Sequence, residues 1–171
     1  GGTSPLQIAS GEGHLDIIEL LLSKSCNIHQ PDDEGWTALH SACQEGFFKA
    51  AELLISKGGN VNQLTNDHTT PLYLASQGGH CDIIELLLLN GADIEAVIDE
   101  GGYTSICVAV LENYGKAVEL LIAKGANWNT PLIVGESTQF ETVLQWAERK
   151  GGHTDMVKIL EAANKRKKKK E

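Results

Sequence analysis

The chain has 171 residues, 42% of them hydrophobic and 22% charged, which supplies a packed core and an ordinary globular share of charge. The net charge of −9 hides an asymmetry. The run Lys165-Arg166-Lys167-Lys168-Lys169-Lys170 carries six of the 14 basic residues, leaving residues 1–164 with 8 basic against 22 acidic side chains, a net of −14. Such a body repels nucleic-acid and membrane phosphates and attracts a basic partner. No apolar run reaches the roughly 18 residues of a membrane span.

In chain order, Gly1-Gly2-Thr3-Ser4-Pro5 has no basic region followed by an apolar core, so it is not a signal peptide. It reads as a cut inside a repeating chain. From Ser4 onward one block recurs: Ser4-Pro5-Leu6-Gln7-Ile8-Ala9, Thr37-Ala38-Leu39-His40-Ser41-Ala42, Thr70-Pro71-Leu72-Tyr73-Leu74-Ala75 and Thr104-Ser105-Ile106-Cys107-Val108-Ala109, at steps of 33, 33 and 34 residues. A fifth copy, Thr142-Val143-Leu144-Gln145-Trp146-Ala147, follows after 38 residues, lengthened by an insertion around 132–140. A second block follows each first one, as in Gly13-His14-Leu15-Asp16-Ile17-Ile18-Glu19-Leu20-Leu21-Leu22 and Gly79-His80-Cys81-Asp82-Ile83-Ile84-Glu85-Leu86-Leu87-Leu88. A third block closes the copies with Gly58, Gly91 and Gly125.

Local chemistry turns these blocks into two short helices and a turn. Thr37 and Thr70 are suited to cap the first helix, and Pro5 and Pro71 lose no intrahelical bond at its first position. Ile17, Ile18, Leu21 and Leu22 recur at helical spacing in the second, and the closing glycines provide a left-handed end. Paired helices are predicted at 5–12 and 15–23, 38–45 and 48–56, 71–78 and 81–89, 105–113 and 115–123, and 143–150 and 154–163. Neither helix buries its apolar face alone, so neighbours must stack, and Ala9, Ala42, Ala75, Ala109 and Ala147 permit close approach.

These blocks resemble the ankyrin repeat, whose 33-residue unit opens Thr-Pro-Leu-His-x-Ala. The resemblance covers residues 2–163. It implies an all-α solenoid of five stacked helix-turn-helix units with protruding β-turns, at about 1–33, 34–66, 67–100, 101–134 and 135–163. A basic, disordered tail over 164–171 follows. Copy two departs from the pattern at Ala38 and Phe47, copy four at Asn113-Tyr114, and copy five at its insertion and near Lys150-Gly151.

Catalysis finds no residue set in this pattern, since neither a nucleophile elbow nor a phosphate loop is present. His14, His40, His80 and His153 recur along the stack rather than gather, which points to structural roles; the resemblance gives His40 a bond to the backbone of the adjacent turn. Asp32-Asp33-Glu34 is an acidic turn, read as solvated rather than as a cation site. Cys26, Cys43, Cys81 and Cys107 form no CxxC pair and read as small apolar residues in a reducing compartment. No metal or cofactor is expected. Trp128 and Trp146 are expected to be buried.

The resemblance places recognition on turn tips and on two positions after each first-helix alanine. Those places hold Thr3, Gly11 and Glu12; Asp33, Glu34, Trp36, Gln44 and Glu45; Asn66, Asp67, Thr69 and Gln77; and Glu100, Tyr103, Leu111 and Glu112. Seven are acidic and none is basic. Trp36 and Tyr103 have two open readings, an exposed anchor for a partner or a cover for a neighbouring turn.

The expected function is a monomeric, non-catalytic module that binds a basic protein or peptide on an acidic concave face. The alternative is a regulatory or targeting domain cut from a larger enzyme or channel. The family resemblance also makes Asn62 and Asn129, with Leu54 and Leu121 eight residues upstream, candidates for asparaginyl hydroxylation; the plainer role is bonding of the turn backbone. His29 and Glu95 hold that place in copies one and three. Lys165–Lys170 reads either as a nuclear-import signal or as a solubilising end, so the location is expected to be cytoplasmic, with the nucleus added in the first case.

Overall fold

Both recurring blocks fold as helices, and the copies stack. In this computed structural model residues 2–98, 102–129, 131–133, 140–150 and 154–167 are described. The first helices of the five repeats are α1 (Pro5–Gly11), α3 (Ala38–Gln44), α5 (Pro71–Gln77), α7 (Ser105–Leu111) and α9 (Val143–Lys150). The second helices are α2 (Leu15–Ser23), α4 (Phe48–Ser56), α6 (Cys81–Leu89), α8 (Gly115–Ala123) and α10 (Thr154–Lys167).

The caps follow from residue chemistry. Ser4 Oγ accepts from the Gln7 amide at 3.2 Å while the Gln7 side chain accepts from the Ser4 amide at 2.6 Å, closing a capping box. Thr70 Oγ1 accepts from the Tyr73 amide at 3.1 Å. Gly58, Gly91 and Gly125, with φ of 94°, 84° and 101°, make the left-handed turn out of the second helices; Ser25 does the same in the first repeat at φ 62°.

First helices pack on first helices along the stack, α1 on α3, α3 on α5, α5 on α7 and α7 on α9. Second helices pack likewise from α2 to α10. The five alanines of the first helices are all buried, and Leu54, Leu87 and Leu121, one per second helix, are fully enclosed. Trp146 is buried in the last repeat; Trp128 is half-buried and its indole N–H donates to Asn164 Oδ1 at 3.1 Å. All four cysteines are free thiols.

Three expectations need correction. Ile17 and Ile18 do not share a covered face: Ile18 is buried, but Ile17 is 42% exposed, whereas its counterparts Ala50, Ile83 and Ala117 in the next three repeats are packed between neighbouring pairs. The basic tail does not begin disordered at residue 164. Helix α10 continues through Lys165, Arg166 and Lys167, which are good helix formers whose charge complements the helix C-terminus. The insertion also carries an unforeseen antiparallel pair, β1 (Leu132–Ile133) with β2 (Phe140–Glu141), in the register Leu132↔Glu141 and Ile133↔Phe140.

His40 ties one repeat to the next turn, as expected. Its Nδ1 accepts from the Thr37 amide at 3.1 Å, which leaves Nε2–H to donate to the Gln63 carbonyl at 3.1 Å. The ring is fully buried, and that burial lowers its pKa from 6.5 to about 4, against the opposing effect of the backbone bond to Gln63. The unfolded chain therefore takes up a proton between these values and the folded chain does not. This contribution is intact above pH 6.5 and is lost as pH falls toward 4. Urea unfolding at pH 7 and about pH 4.5 should show the parent losing roughly 2.5 kcal/mol more than His40→Gln, which retains a capping side chain but does not titrate. Equal losses would mean that His40 is not held neutral.

Candidate functional site

The turns between repeats are linked to one another through backbone and side-chain amides, which fixes the tips in a row. The Asn66 amide donates to the Glu34 carbonyl at 2.9 Å, and Asn66 Nδ2 donates to the Asp33 carbonyl at 2.8 Å. Asn62 bridges to the following turn: Nδ2 donates to the Gly91 carbonyl at 2.9 Å and Oδ1 accepts from the Asp93 amide at 2.8 Å. Glu95 reaches the next turn in the same manner, accepting from the Asn127 amide at 2.8 Å.

Asp32 was missed as a scaffold residue. One carboxylate oxygen accepts from the Glu34 and Trp36 amides at 3.0 and 2.9 Å, and the other accepts from Gln7 Nε2 at 3.1 Å. Gln7 also donates to the Trp36 carbonyl at 2.6 Å. The buried Gln7 thus pins the first turn from the repeat before it. A capping-box glutamine announces only its local bonds in sequence, and so this longer reach leaves no local signal.

Among the sequence-predicted recognition residues, Glu12, Asp33, Glu34, Gln44, Glu45, Asn66, Asp67, Gln77 and Glu112 are exposed. Trp36, Thr69, Tyr103 and Leu111 are half-buried, and Glu100 lies outside the described residues. The Trp36 ring leans on His40, with centroids 5.9 Å apart and planes at 51°. It therefore covers the turn and keeps an open edge. Tyr103 packs partly against the core. Thr3, Gly11, Glu12, Trp36, Gln44 and Glu45 are brought together along one open groove of about 320 Å³, with Asp32 and Gln7 in its lining.

Charge is sorted across the stack. Lys24, Lys49, Lys57, Lys116 and Lys124, which are all the basic residues before residue 134, lie in or directly after second helices. There Lys49 pairs with Glu52 and Lys124 with Glu85, each at 2.8 Å. The first-helix and turn side receives none of them. Helix C-termini favour lysine at 24, 57 and 124.

Asn62 and Asn129 are both exposed. Lys165, Arg166 and Lys167 are exposed on the last turn of α10, where Lys167 Nζ lies 5.9 Å from the Trp128 ring centre. Lys168, Lys169 and Lys170 lie outside the described residues, as does His153. His80 Nε2 bonds the Gln44 carbonyl at 3.0 Å, and His14 pairs with Glu12 at 3.0 Å. Burial raises the Cys43 and Cys107 thiol pKa values, which suits packing rather than nucleophilic use. Among the described residues no helix is long and apolar enough to cross a membrane.

The chain is similar over 42 residues to protein phosphatase 1 regulatory subunit 27 of Homo sapiens and of Mus musculus, at 43% identity in each case. The match takes in 25% of this chain and 27% of each relative, so it spans about a quarter of their length. A family model described as ankyrin repeats (3 copies) matches residues 1–65 and 57–132. The fifth pair, α9–α10, lies beyond that match and stacks on α7 and α8. With most of its length matched and ten helices stacked as pairs among the described residues, the chain belongs to the ankyrin-repeat family, whose members serve as protein-interaction modules.

Proposed function

We propose that this protein binds a basic protein or peptide on the first-helix and turn side of the stack, and acts by binding rather than by catalysis. The observation that carries the reading is the sorting of charge: every lysine of the first four repeats lies on the second-helix side. Glu12, Asp33, Glu34, Glu45, Asp67 and Glu112 stand exposed on the other. Like charges held on one face raise the energy of the free protein, and a cationic partner relieves that repulsion. Trp36 adds an aromatic edge in the groove between the first two repeats, where a cationic or apolar side chain gains contact area. Tyr103 offers the same chemistry farther along.

A second reading has a specific observation behind it. The likeness to a segment of a protein named as a phosphatase regulatory subunit favours a regulatory ankyrin domain within a larger assembly. The two readings share the same face and differ in what the bound partner does.

Asn62 and Asn129 are proposed as hydroxylation sites, on the family resemblance and their exposure. Both ends of the Asn62 side-chain amide are engaged by the next turn, so an enzyme must first loosen that turn. Incubation with an asparaginyl hydroxylase should add one oxygen at Asn62 or Asn129 by peptide mass; an unmodified chain would remove the proposal.

The binding face is tested with a peptide selected on the parent from a library of mixed charge. Selection should return lysine- and arginine-rich sequences. Trp36→Ala, with its circular-dichroism melt retained, should speed dissociation of the selected peptide by at least roughly tenfold. Glu34→Lys with Glu45→Lys should slow association on the order of tenfold at low salt and flatten its salt dependence. Acidic selected peptides, or unchanged kinetics in both variants, would move the site elsewhere, with the insertion at 131–141 the next place to look.

A further inference from the structure

The junction between the first two repeats differs from the two junctions that follow it. Where α1 meets α3, Gly11 and Ser41 stand side by side: a Cβ at Gly11 would meet only Ser41 Cβ, at 3.4 Å. Gln44, Gln77 and Leu111 hold the place of Gly11 in the next three repeats, and Leu74 and Val108 hold the place of Ser41 in the third and fourth. Two small residues thus leave room here that larger side chains take up at the next two junctions. The groove of about 320 Å³ lies at this point. Ile8, in its lining, is 51% exposed, whereas its counterparts Leu74 and Val108 are buried.

The lining is chemically mixed. Ile8 and Trp36 are apolar, while Glu12 and Glu45, one from each repeat, are exposed carboxylates in the same groove. Asp32 adds negative charge, but its oxygens are held by the Glu34 and Trp36 amides and by Gln7. Glu12 gives one oxygen to His14 at 3.0 Å. Neither following junction combines an aromatic ring with two carboxylates. At the second, Thr69 stands in place of Trp36 and Gly78 in place of Glu45. At the third, Tyr103 and Glu112 return, but Gly78 holds the place of Glu12.

These groups together describe a long side chain with an apolar stem and a cationic head. Arginine fits them better than lysine. Its flat guanidinium stacks on an aromatic ring and spreads five donors over acceptors on both repeats. An ammonium is a compact, strongly hydrated charge that gains less from the indole and cannot span two walls.

We propose that this groove is a subsite for a single arginine side chain of the partner, an assignment that rests on the basic-partner reading given above. The stem lies between Ile8 and Trp36, over Gly11 and Ser41, and the guanidinium bridges Glu12 and Glu45. The subsite selects by shape as well as by charge, so it distinguishes arginine from lysine at one position of the partner.

The test uses the basic peptide selected on the parent protein. Each arginine is replaced in turn by lysine, which keeps the charge. One arginine, and no other, should lose at least roughly tenfold in affinity on that replacement. Gly11→Gln with Ser41→Leu fills the groove with residues that the protein itself uses in its second and third repeats, and it alters no charge. With its circular-dichroism melt retained, this variant should bind the selected peptide at least roughly tenfold more weakly, keep the same salt dependence, and no longer distinguish arginine from lysine at the critical position. Gly11→Gln alone should weaken binding in the same direction, which keeps the test decisive if Ser41→Leu disturbs the packing. A selected peptide without arginine, one in which every arginine tolerates lysine, or equal binding by the parent and the filled-groove variants would overturn the subsite. The basic-partner reading would survive those results so long as charge reversal at Glu34 and Glu45 still slows association. A selection that returns no basic peptide would overturn both.

Discussion

The nine-residue second helices α4, α6 and α8 each pack against their own first helix and against the second helices on both sides. Ile83, Ile84 and Leu87 are all fully buried on α6, which packs against its own first helix α5 and against α4 and α8 on either side. The neighbours on the stack supply part of that cover. This shared burial makes the solenoid quasi-one-dimensional: a repeat's stability depends on what stands next to it.

The same constraint divides the surface into parts with different freedoms. Residues facing a neighbour must be apolar or small, as Ala42, Ala75 and Ala109 are. The turns are held by main-chain groups and by amides such as Asn62 and Asn66 that reach to the neighbouring turn. Glu34 and Asp67 stand exposed on these turns, where recognition rather than packing can choose the side chain. Asp32 shows the limit of that freedom, because its carboxylate builds the turn that displays its two acidic neighbours. A rigid row of tips carrying unconstrained charge suits binding to an extended or convex partner.

The period of 33 residues was readable because stacking imposes it, and it located the helices of the first four repeats to within two residues. What it missed depends on contacts between copies or beyond them. Periodicity put Ile17 and Ile18 on one face, but two neighbours bury them from two sides, and in the first repeat one neighbour is missing. Trp36 and Tyr103 were undecided because a turn residue's exposure depends on the next turn. The side chain of Trp36 rests on His40 and its carbonyl is held by Gln7. The tail was misjudged at 164–167 because a run of like charges looks disordered in isolation, while an established helix extends readily through lysine and arginine. The groove shared by Glu12, Trp36 and Glu45 joins residues of two repeats, and only the stacked fold brings them together.

The central claim is that a repeat's burial comes from its neighbours and not from its own sequence. Helices α2 and α6 permit a direct measurement, because the residues from Asp16 to Leu22 match those from Asp82 to Leu88 and their intrinsic amide exchange rates are nearly equal. Native-state hydrogen exchange on the intact chain should find the α6 amides protected at least roughly tenfold more strongly than their α2 counterparts, since α6 packs against second helices on both sides, α4 and α8, while α2 packs against one, α4. Equal protection in the two helices would contradict the account, because the local sequence would then be sufficient to stabilise each pair.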